Sequence, residues 1–98
     1  MLRPFFGLMI TVYVIESLQD QIRYTGMAKD VINRLEEHNS GKNRFTKGHQ
    51  PWEIIFTEKF PDWESARVKE KYLKTASGKN WLKKYLNLQS GDTSSLPD

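Results

Sequence analysis

The chain has 98 residues, a formal net charge of +3 and no cysteine. This length is enough for one domain with a modest core, but not for two cores. The absence of cysteine excludes disulfides, zinc–thiolate sites and cysteine nucleophiles, and it fits a reducing cytoplasm. The mildly basic charge is compatible with a polyanionic partner, a property that many ordinary domains share.

The first eight residues are mostly apolar and carry one arginine, but they run into a strand pattern without a small-residue cleavage site. A membrane-spanning helix needs about 20 apolar residues, and Glu16 comes too early for one. We therefore expect no membrane segment here. Residues 1–8 are expected to form a poorly ordered extension, with Met9 as a candidate for the natural start.

A β-hairpin is predicted next. Residues 9–15 are β-branched and aromatic, which predicts a strand, and residues 22–26 predict a second one after a polar turn. Tyr13 and Tyr24 are nearly symmetric about that turn, so both phenols should lie on one face of the sheet. Gly26 is expected to end the second strand, where the backbone bends or approaches a ligand.

A helix is predicted from Asp30, with Arg34 and His38 four residues apart on one face. Gly41 suits its left-handed end. Residues 42–51 form a basic loop and residues 52–60 a third strand. In the basic loop, one aromatic residue and four basic or titratable ones suggest contacts to phosphates and bases, although a solvated loop is an equal alternative. They are Lys42, Arg44, Phe45, Lys47 and His49.

The second predicted helix spans residues 63–74, and its apolar stripe also carries Glu70. A carboxylate on the core side is costly unless a cation meets it. Ser77-Gly78 is expected to break the helix before a third, short one, whose inner face is predicted to carry Trp81, Leu82, Tyr85 and Leu86. Residues 89–98 are predicted to be a disordered tail. The order β-β-α-β-α-α predicts an α+β fold, a small three-stranded, mostly antiparallel sheet flanked by helices.

Five residues together suggest a catalytic site. Taken singly, each has an ordinary explanation: strand tyrosines usually pack, a histidine near a helix end can complement the dipole, and Glu70 and Arg34 can form a structural pair. In combination they suit a one-metal phosphodiester hydrolase, in which phenol or imidazole handles protons, arginine holds a phosphate and a carboxylate holds the cation. The five are Tyr13, Tyr24, Arg34, His38 and Glu70.

The pattern resembles the GIY-YIG nuclease family. Thr11-Val12-Tyr13 stands in place of the first triplet and Tyr24-Thr25-Gly26 in place of the second. The arginine ten residues after the second tyrosine and the histidine one helical turn later also match. The resemblance covers residues 9–88, which form the predicted domain. The chain resembles the short, stand-alone bacterial subgroup of the family.

The resemblance implies a divalent-metal-dependent endonuclease that hydrolyses DNA phosphodiester bonds in repair, recombination or processing. Glu70 would ligate a single Mg²⁺ or Mn²⁺, and Arg34 would bind the scissile phosphate. Tyr13 would be the general base, with Tyr24 and His38 as its helpers, and the sequence leaves His38 open as the alternative base. Which DNA is cleaved is not specified by the family.

This chain departs from the family pattern at three places. The first triplet keeps only its tyrosine, and Met27 stands where several members carry a lysine. Asn80 is the only candidate for the asparagine that many members place after the metal-binding glutamate. The alternative function is a nucleic-acid-binding or partner-recruiting module with a vestigial site. A domain with so little surface would bind DNA weakly alone, which favours a homodimer or a partner protein.

Overall fold

A computed structural model describes residues 9–90, so the predicted extension at residues 1–8 and residues 91–98 of the predicted tail lie outside the described part. The chain forms three strands and three helices in the predicted order. They are β1 (Ile10–Ser17), β2 (Arg23–Ala28), α1 (Val31–Asn39), β3 (Trp52–Phe60), α2 (Trp63–Leu73) and α3 (Ala76–Ser90). The strands form one antiparallel sheet in the order β2-β1-β3. The α+β prediction is confirmed.

The central strand β1 is covered on both faces, which explains its run of apolar residues. Val12 and Val14 point to the side of α2 and α3, where they pack with Phe56, Leu73 and Leu82. Tyr13 and Ile15 point to the other side, where Trp52 and Leu35 complete a second cluster. Adjacent residues of β1 therefore belong to different clusters on opposite faces of the sheet.

The hairpin places both tyrosines on one face, as predicted, but not directly opposite each other. Tyr24 pairs with Ile15 and Tyr13 pairs with Gly26, so the phenols are diagonal neighbours with ring centroids 6.4 Å apart. Gly26 does not end the strand, because β2 continues to Ala28. A Cβ at Gly26 would lie 2.6 Å from the Tyr13 hydroxyl oxygen. Glycine therefore makes room for the Tyr13 ring, and the predicted role as a strand end is wrong.

Each of the first two helices begins at an aspartate that caps it. The Asp30 carboxylate accepts a hydrogen bond from the Asn33 backbone N–H at 3.0 Å, and Asp62 accepts one from Ser65 at 2.7 Å. Helix α1 ends as expected, with Gly41 in the left-handed region at φ 82°.

The boundary between α2 and α3 differs from the prediction. The break falls at Lys74 and Thr75, and Ser77-Gly78 belongs to the first turn of α3. A Cβ at Gly78 would lie 1.8 Å from the carbonyl oxygen of Tyr72, so this glycine lets two helices approach closely. It does not break a helix. The helix also continues through Gln89 and Ser90, two residues that were predicted to belong to the tail.

Helical spacing predicts that Trp63, Ala66 and Leu73 form the apolar stripe of α2, and only part of that stripe is buried. Ala66 and Leu73 are buried, whereas Trp63 is 48% exposed and lies outside the core. The four residues predicted for the inner face of α3 pack in the cluster that contains Val12 and Val14. Within residues 9–90, no helix is long and apolar enough to cross a membrane.

Candidate active site

A buried row of three hydrogen-bonded side chains lies between the sheet and α1. The Tyr13 hydroxyl and Nε2 of His38 are 3.0 Å apart, and Nδ1 of His38 is 2.8 Å from the Thr46 hydroxyl. All three residues are at most 1% exposed. Both imidazole nitrogens are therefore engaged, so His38 is held in one orientation and does not serve merely to complement the helix dipole.

The far end of this row is fixed by the loop that follows α1. The backbone N–H of Thr46 donates to the Asn43 side chain at 3.2 Å, and its carbonyl accepts from the Trp52 indole at 3.1 Å. Asn39, the last residue of α1, exchanges two hydrogen bonds with the Trp52 backbone. Thr46 was missed by the sequence analysis. Its signal, a small polar residue two positions after Arg44 in a basic loop, does not distinguish it from its neighbours.

Tyr24 borders the buried row from the second strand. Its ring centroid lies 4.9 Å from that of His38, and the side chain is half-buried. Tyr24 is therefore the phenol of this cluster that solvent reaches, while Tyr13 lies behind it. The two tyrosines and the histidine therefore lie in one cluster.

The pKa values of Tyr13 and His38 are shifted so that both side chains favour their neutral forms. Burial raises the pKa of Tyr13 well above its ordinary value, Tyr24 raises it further, and Arg34 opposes the shift. Burial, and then the Arg34 guanidinium, hold the pKa of His38 below its usual range. Near neutral pH the row therefore holds a protonated phenol beside a neutral imidazole, a proton donor beside a proton acceptor.

Arg34 lies at the exposed edge of this cluster. Its guanidinium is 3.1 Å from the Glu37 carboxylate, and 45% of the side chain is exposed. Its charge acts on the pKa values of both Tyr13 and His38, so it lies within electrostatic reach of the row. The structural pair with Glu70 that the sequence left open does not form, because each residue has other partners.

Glu70 lies on α2, and its charge also raises the pKa of Tyr13, after the larger effects of burial, Tyr24 and Glu37. Its side chain is 14% exposed, with Arg67 at 3.6 Å and Lys74 at 3.0 Å from the carboxylate. Lys74 meets the carboxylate because the two residues are one helical turn apart. The carboxylate is thus met by two exposed cations of the same helix.

The donor set fits a hard divalent cation bound through a single carboxylate. Mg²⁺ is commonly held by one or two carboxylates, with water and substrate phosphate completing its shell. Among the described residues there is no group of three or more His, Cys, Asp or Glu that would hold a metal without substrate. The Lys74 and Arg67 contacts are ion pairs with exposed partners, which a divalent cation can displace at small cost.

The basic loop is fixed to the hairpin rather than free along its length. His49 is 2.7 Å from the Asp20 carboxylate, and the Ser17 hydroxyl donates to the His49 carbonyl at 2.6 Å. His49 therefore anchors the loop, and its predicted phosphate contact stays a prediction. The other predicted contact residues are exposed, Phe45 to 79%. They are Lys42, Arg44, Phe45 and Lys47.

Asn80 and Met27 lie apart from the buried row. Asn80 is exposed on α3, and within residues 9–90 it makes no hydrogen bond to Glu70. Met27 is opposite Val12 and packs on the core under α2 and α3. The side chain that stands in the family's lysine position thus contributes to packing.

The strand order, the paired tyrosines and the helix that carries arginine and histidine define a nuclease-type domain. The family model of the GIY-YIG catalytic domain matches residues 9–85. The chain belongs to the GIY-YIG family, a family of nucleases.

Several relatives carry the name UPF0213. One from Natronomonas pharaonis is 36% identical over 67 residues, which cover 67% of this chain and 78% of that protein. Another, from Staphylococcus saprophyticus, is 33% identical and covers 74% of this chain and 88% of its own. The solution NMR structure of the UPF0213 protein BH0048 from Bacillus halodurans is 32% identical, covers 88% of this chain and 89% of that one, and superimposes with a TM-score of 0.49.

Proposed function

We propose that this protein is a divalent-metal-dependent endonuclease that hydrolyses DNA phosphodiester bonds. The observation that supports this most strongly is the buried row of Tyr13, His38 and Thr46, bordered by Tyr24. A structural tyrosine needs one hydrogen-bond partner. Here an aligned imidazole is flanked by two hydroxyls and lies within reach of an arginine and a carboxylate, which is the set required to move a proton beside a phosphate.

In this proposal His38 is the final proton acceptor. Its lowered pKa keeps the imidazole neutral near pH 7, and its Nε2 is positioned on the Tyr13 hydroxyl. Tyr13 cannot be the starting base at neutral pH, because its pKa is raised. It can pass a proton from a water to the imidazole by giving up its own to Nε2. Thr46 then accepts the hydrogen bond of the imidazolium at Nδ1.

Arg34 would bind the scissile phosphate and stabilise the charge that develops there. Its guanidinium is exposed, so a phosphate can replace the Glu37 carboxylate as its partner. Phe45 and the exposed cations of the basic loop would extend the contact along the strand through stacking and phosphate pairing.

Glu70 would hold the cation, Mg²⁺ or Mn²⁺. When bound, such a cation neutralises phosphate charge and lowers the pKa of a coordinated water. The role of the chain is to place this carboxylate across from the row that carries the proton. A role in repair, recombination or processing, and dimerisation or a partner protein to enlarge the DNA-binding surface, belong to the same proposal.

Nicking of supercoiled plasmid tests the proposal. We expect nicking with Mg²⁺ or Mn²⁺, loss of nicking on chelation, and recovery when metal is restored. Glu70→Gln should reduce the rate by at least about 100-fold, while Glu64→Gln, a matched change on the same helix, should keep it. Binding of DNA without metal-dependent nicking would instead support a binding module with a vestigial site.

A further inference from the structure

A second concave surface lies beside the candidate active site, on the opposite side of β2. It is a groove of about 600 Å³ between β2, the end of α2 and the start of α3. Its floor is apolar, since Leu73, Leu82 and Val14 are buried there and Ile22 forms a partly exposed wall. Its volume falls in the range of small-ligand sites. Tyr24 is among the residues that line this groove, and its ring also lies beside His38, so the two surfaces share this residue.

The rim of the groove is positively charged. Arg23, Lys74 and Lys79 line it, and none of the described lining residues is acidic. Arg23 is paired with Glu16 and Lys74 with Glu70. Lys79 makes no ion pair within residues 9–90, so it is the cation available to an anionic ligand. Lys74 bonds to Glu70 and therefore joins this rim to the proposed metal-binding carboxylate.

A residue with a strained backbone conformation also lines the groove. Gln21 has φ 62°, a left-handed conformation that is strained for a residue with a Cβ. Glycine or asparagine is the usual choice at such a turn position. Gln21 lines the groove, and its side-chain amide makes no hydrogen bond within the described residues. Strained backbone positions are common at functional sites, and the Gln21 amide offers a ligand one donor group and one acceptor.

We propose that this groove binds one nucleotide of the substrate strand, next to the phosphate that is cleaved. The base would lie on Leu73, Leu82 and Ile22, and the Gln21 amide would contact its edge. Lys79 would pair with the phosphate of that nucleotide. The chemistry favours a nucleotide over a purely apolar ligand, because an apolar floor under a cationic rim matches a flat base carrying an anion. The identity of the ligand rests on the proposed nuclease function, but the binding itself does not require cleavage.

The test uses the full chain without added metal and a single-stranded thymidine hexanucleotide as the probe. Two exposed lysines of α3 give matched variants, Lys79→Gln in the groove and Lys84→Gln outside its lining. Lys79→Gln should weaken binding about fivefold or more and reduce the slope of log affinity against log salt by about 0.7, because one phosphate contact is lost. Lys84→Gln should leave both within experimental error.

A third variant tests whether a contact in the groove other than its positive charge contributes to binding. Gln21→Gly relieves the left-handed strain, so the protein should be at least as stable to heat while its affinity for the hexanucleotide falls. In the wild-type protein, the probe should shift the amide resonances of Ile22, Tyr24 and Leu82 in NMR spectra. Equal effects of Lys79→Gln and Lys84→Gln, shifts confined to other surfaces, or no binding at millimolar probe would each overturn the proposal. Binding in the groove by a protein that never nicks plasmid would support it while refuting the nuclease.

Discussion

The hydroxyl of Tyr13 and Nε2 of His38 are hydrogen-bonded at 3.0 Å, although 25 residues separate them in the chain. The strand supplies one group and the last turn of α1 the other. Within residues 9–90, the Tyr13 hydroxyl and Nε2 of His38 make no other side-chain hydrogen bond, so the phenol and the imidazole are coupled. Protonation of one changes the hydrogen bond available to the other, and the proposed chemistry depends on this coupling.

The pH dependence of cleavage tests which group accepts the proton. The pKa of His38 is lowered, so the rate should rise as pH increases through a value below 6.5, and then reach a plateau. Folding stability should follow the same direction. The unfolded histidine binds a proton more readily than the folded one, so stability present above pH 6.5 is lost as pH falls through the folded pKa.

Nicking rates from pH 5 to 10 and thermal melts over the same range measure both effects. His38→Gln, which cannot accept the proton, serves as the control. It should lose the activity, and its thermal stability should lack the decrease at low pH that the histidine causes. A wild-type rate that keeps rising to pH 10 would assign the base to a tyrosine instead.

Thr46 should act through His38. Thr46→Val keeps the shape but leaves Nδ1 unpaired in a buried position, which costs about 1–3 kcal/mol of folding stability. The imidazolium also loses its acceptor, so the pKa of His38 should fall further, moving the acid limb of the rate profile to lower pH and reducing the plateau. Thr46→Ser restores a hydroxyl and should recover the wild-type profile. If Thr46→Val only lowered the melting temperature and left the pH profile unchanged, the threonine would be structural.

Much of this arrangement followed from the sequence because it depends on local patterns. Strand composition gave β1 to β3, the spacing of Arg34 and His38 placed them on one helix, and the alternation of side chains put Tyr13 and Tyr24 on one face. Each of these predictions needs only the period of a strand or a helix.

The features that the sequence does not predict depend on contacts between distant segments. Gly26 was interpreted as a strand end because its neighbour across the sheet, Tyr13, is known only once the register is known. Gly78 was interpreted as a helix breaker because the closeness of Tyr72 cannot be seen from composition. Thr46 became visible only when the loop after α1 was placed against His38.

Arg34 should matter for cleavage and little for folding. Its contact with Glu37 joins two side chains about 40% exposed, and such pairs contribute about 0–1 kcal/mol. Arg34→Gln should therefore melt near the wild-type temperature but cleave about 100-fold more slowly, since a positioned guanidinium no longer meets the transition-state charge. Glu37→Gln removes the partner and keeps the arginine, so its nicking rate should match or exceed that of the wild type. A large loss of thermal stability in Arg34→Gln with normal cleavage by the folded fraction would make the residue structural.

The α2–α3 contact makes a separate prediction about stability. Gly78→Ala places a methyl group 1.8 Å from the Tyr72 carbonyl oxygen, and neither backbone can yield without moving a helix. We expect a loss of about 1–3 kcal/mol or more, measured by urea unfolding. Gly48→Ala, where a Cβ meets nothing within 4 Å, controls for the loss of a glycine, although its own φ of 93° adds some strain. Equal melting of Gly78→Ala and the wild type would show that the helices pack less closely than described.

Gly26 links packing to the proposed chemistry most directly. In Gly26→Ala the new methyl group would lie 2.6 Å from the Tyr13 hydroxyl oxygen and 2.8 Å from Cζ, so the ring must move away from β2. That movement strains a close-packed layer, costing about 1–3 kcal/mol, and it also breaks the alignment with His38. The nicking rate of the folded protein should then fall about as far as it does in Tyr13→Phe.

The double variant Gly26→Ala with Tyr13→Phe separates the effect on stability from the effect on activity. Because the Cζ contact persists in phenylalanine, the stability loss from Gly26→Ala should largely remain, whereas the loss of activity should not add, since the hydroxyl is already gone. If Gly26→Ala nicked plasmid at the wild-type rate, the alignment of Tyr13 with His38 would have no part in cleavage.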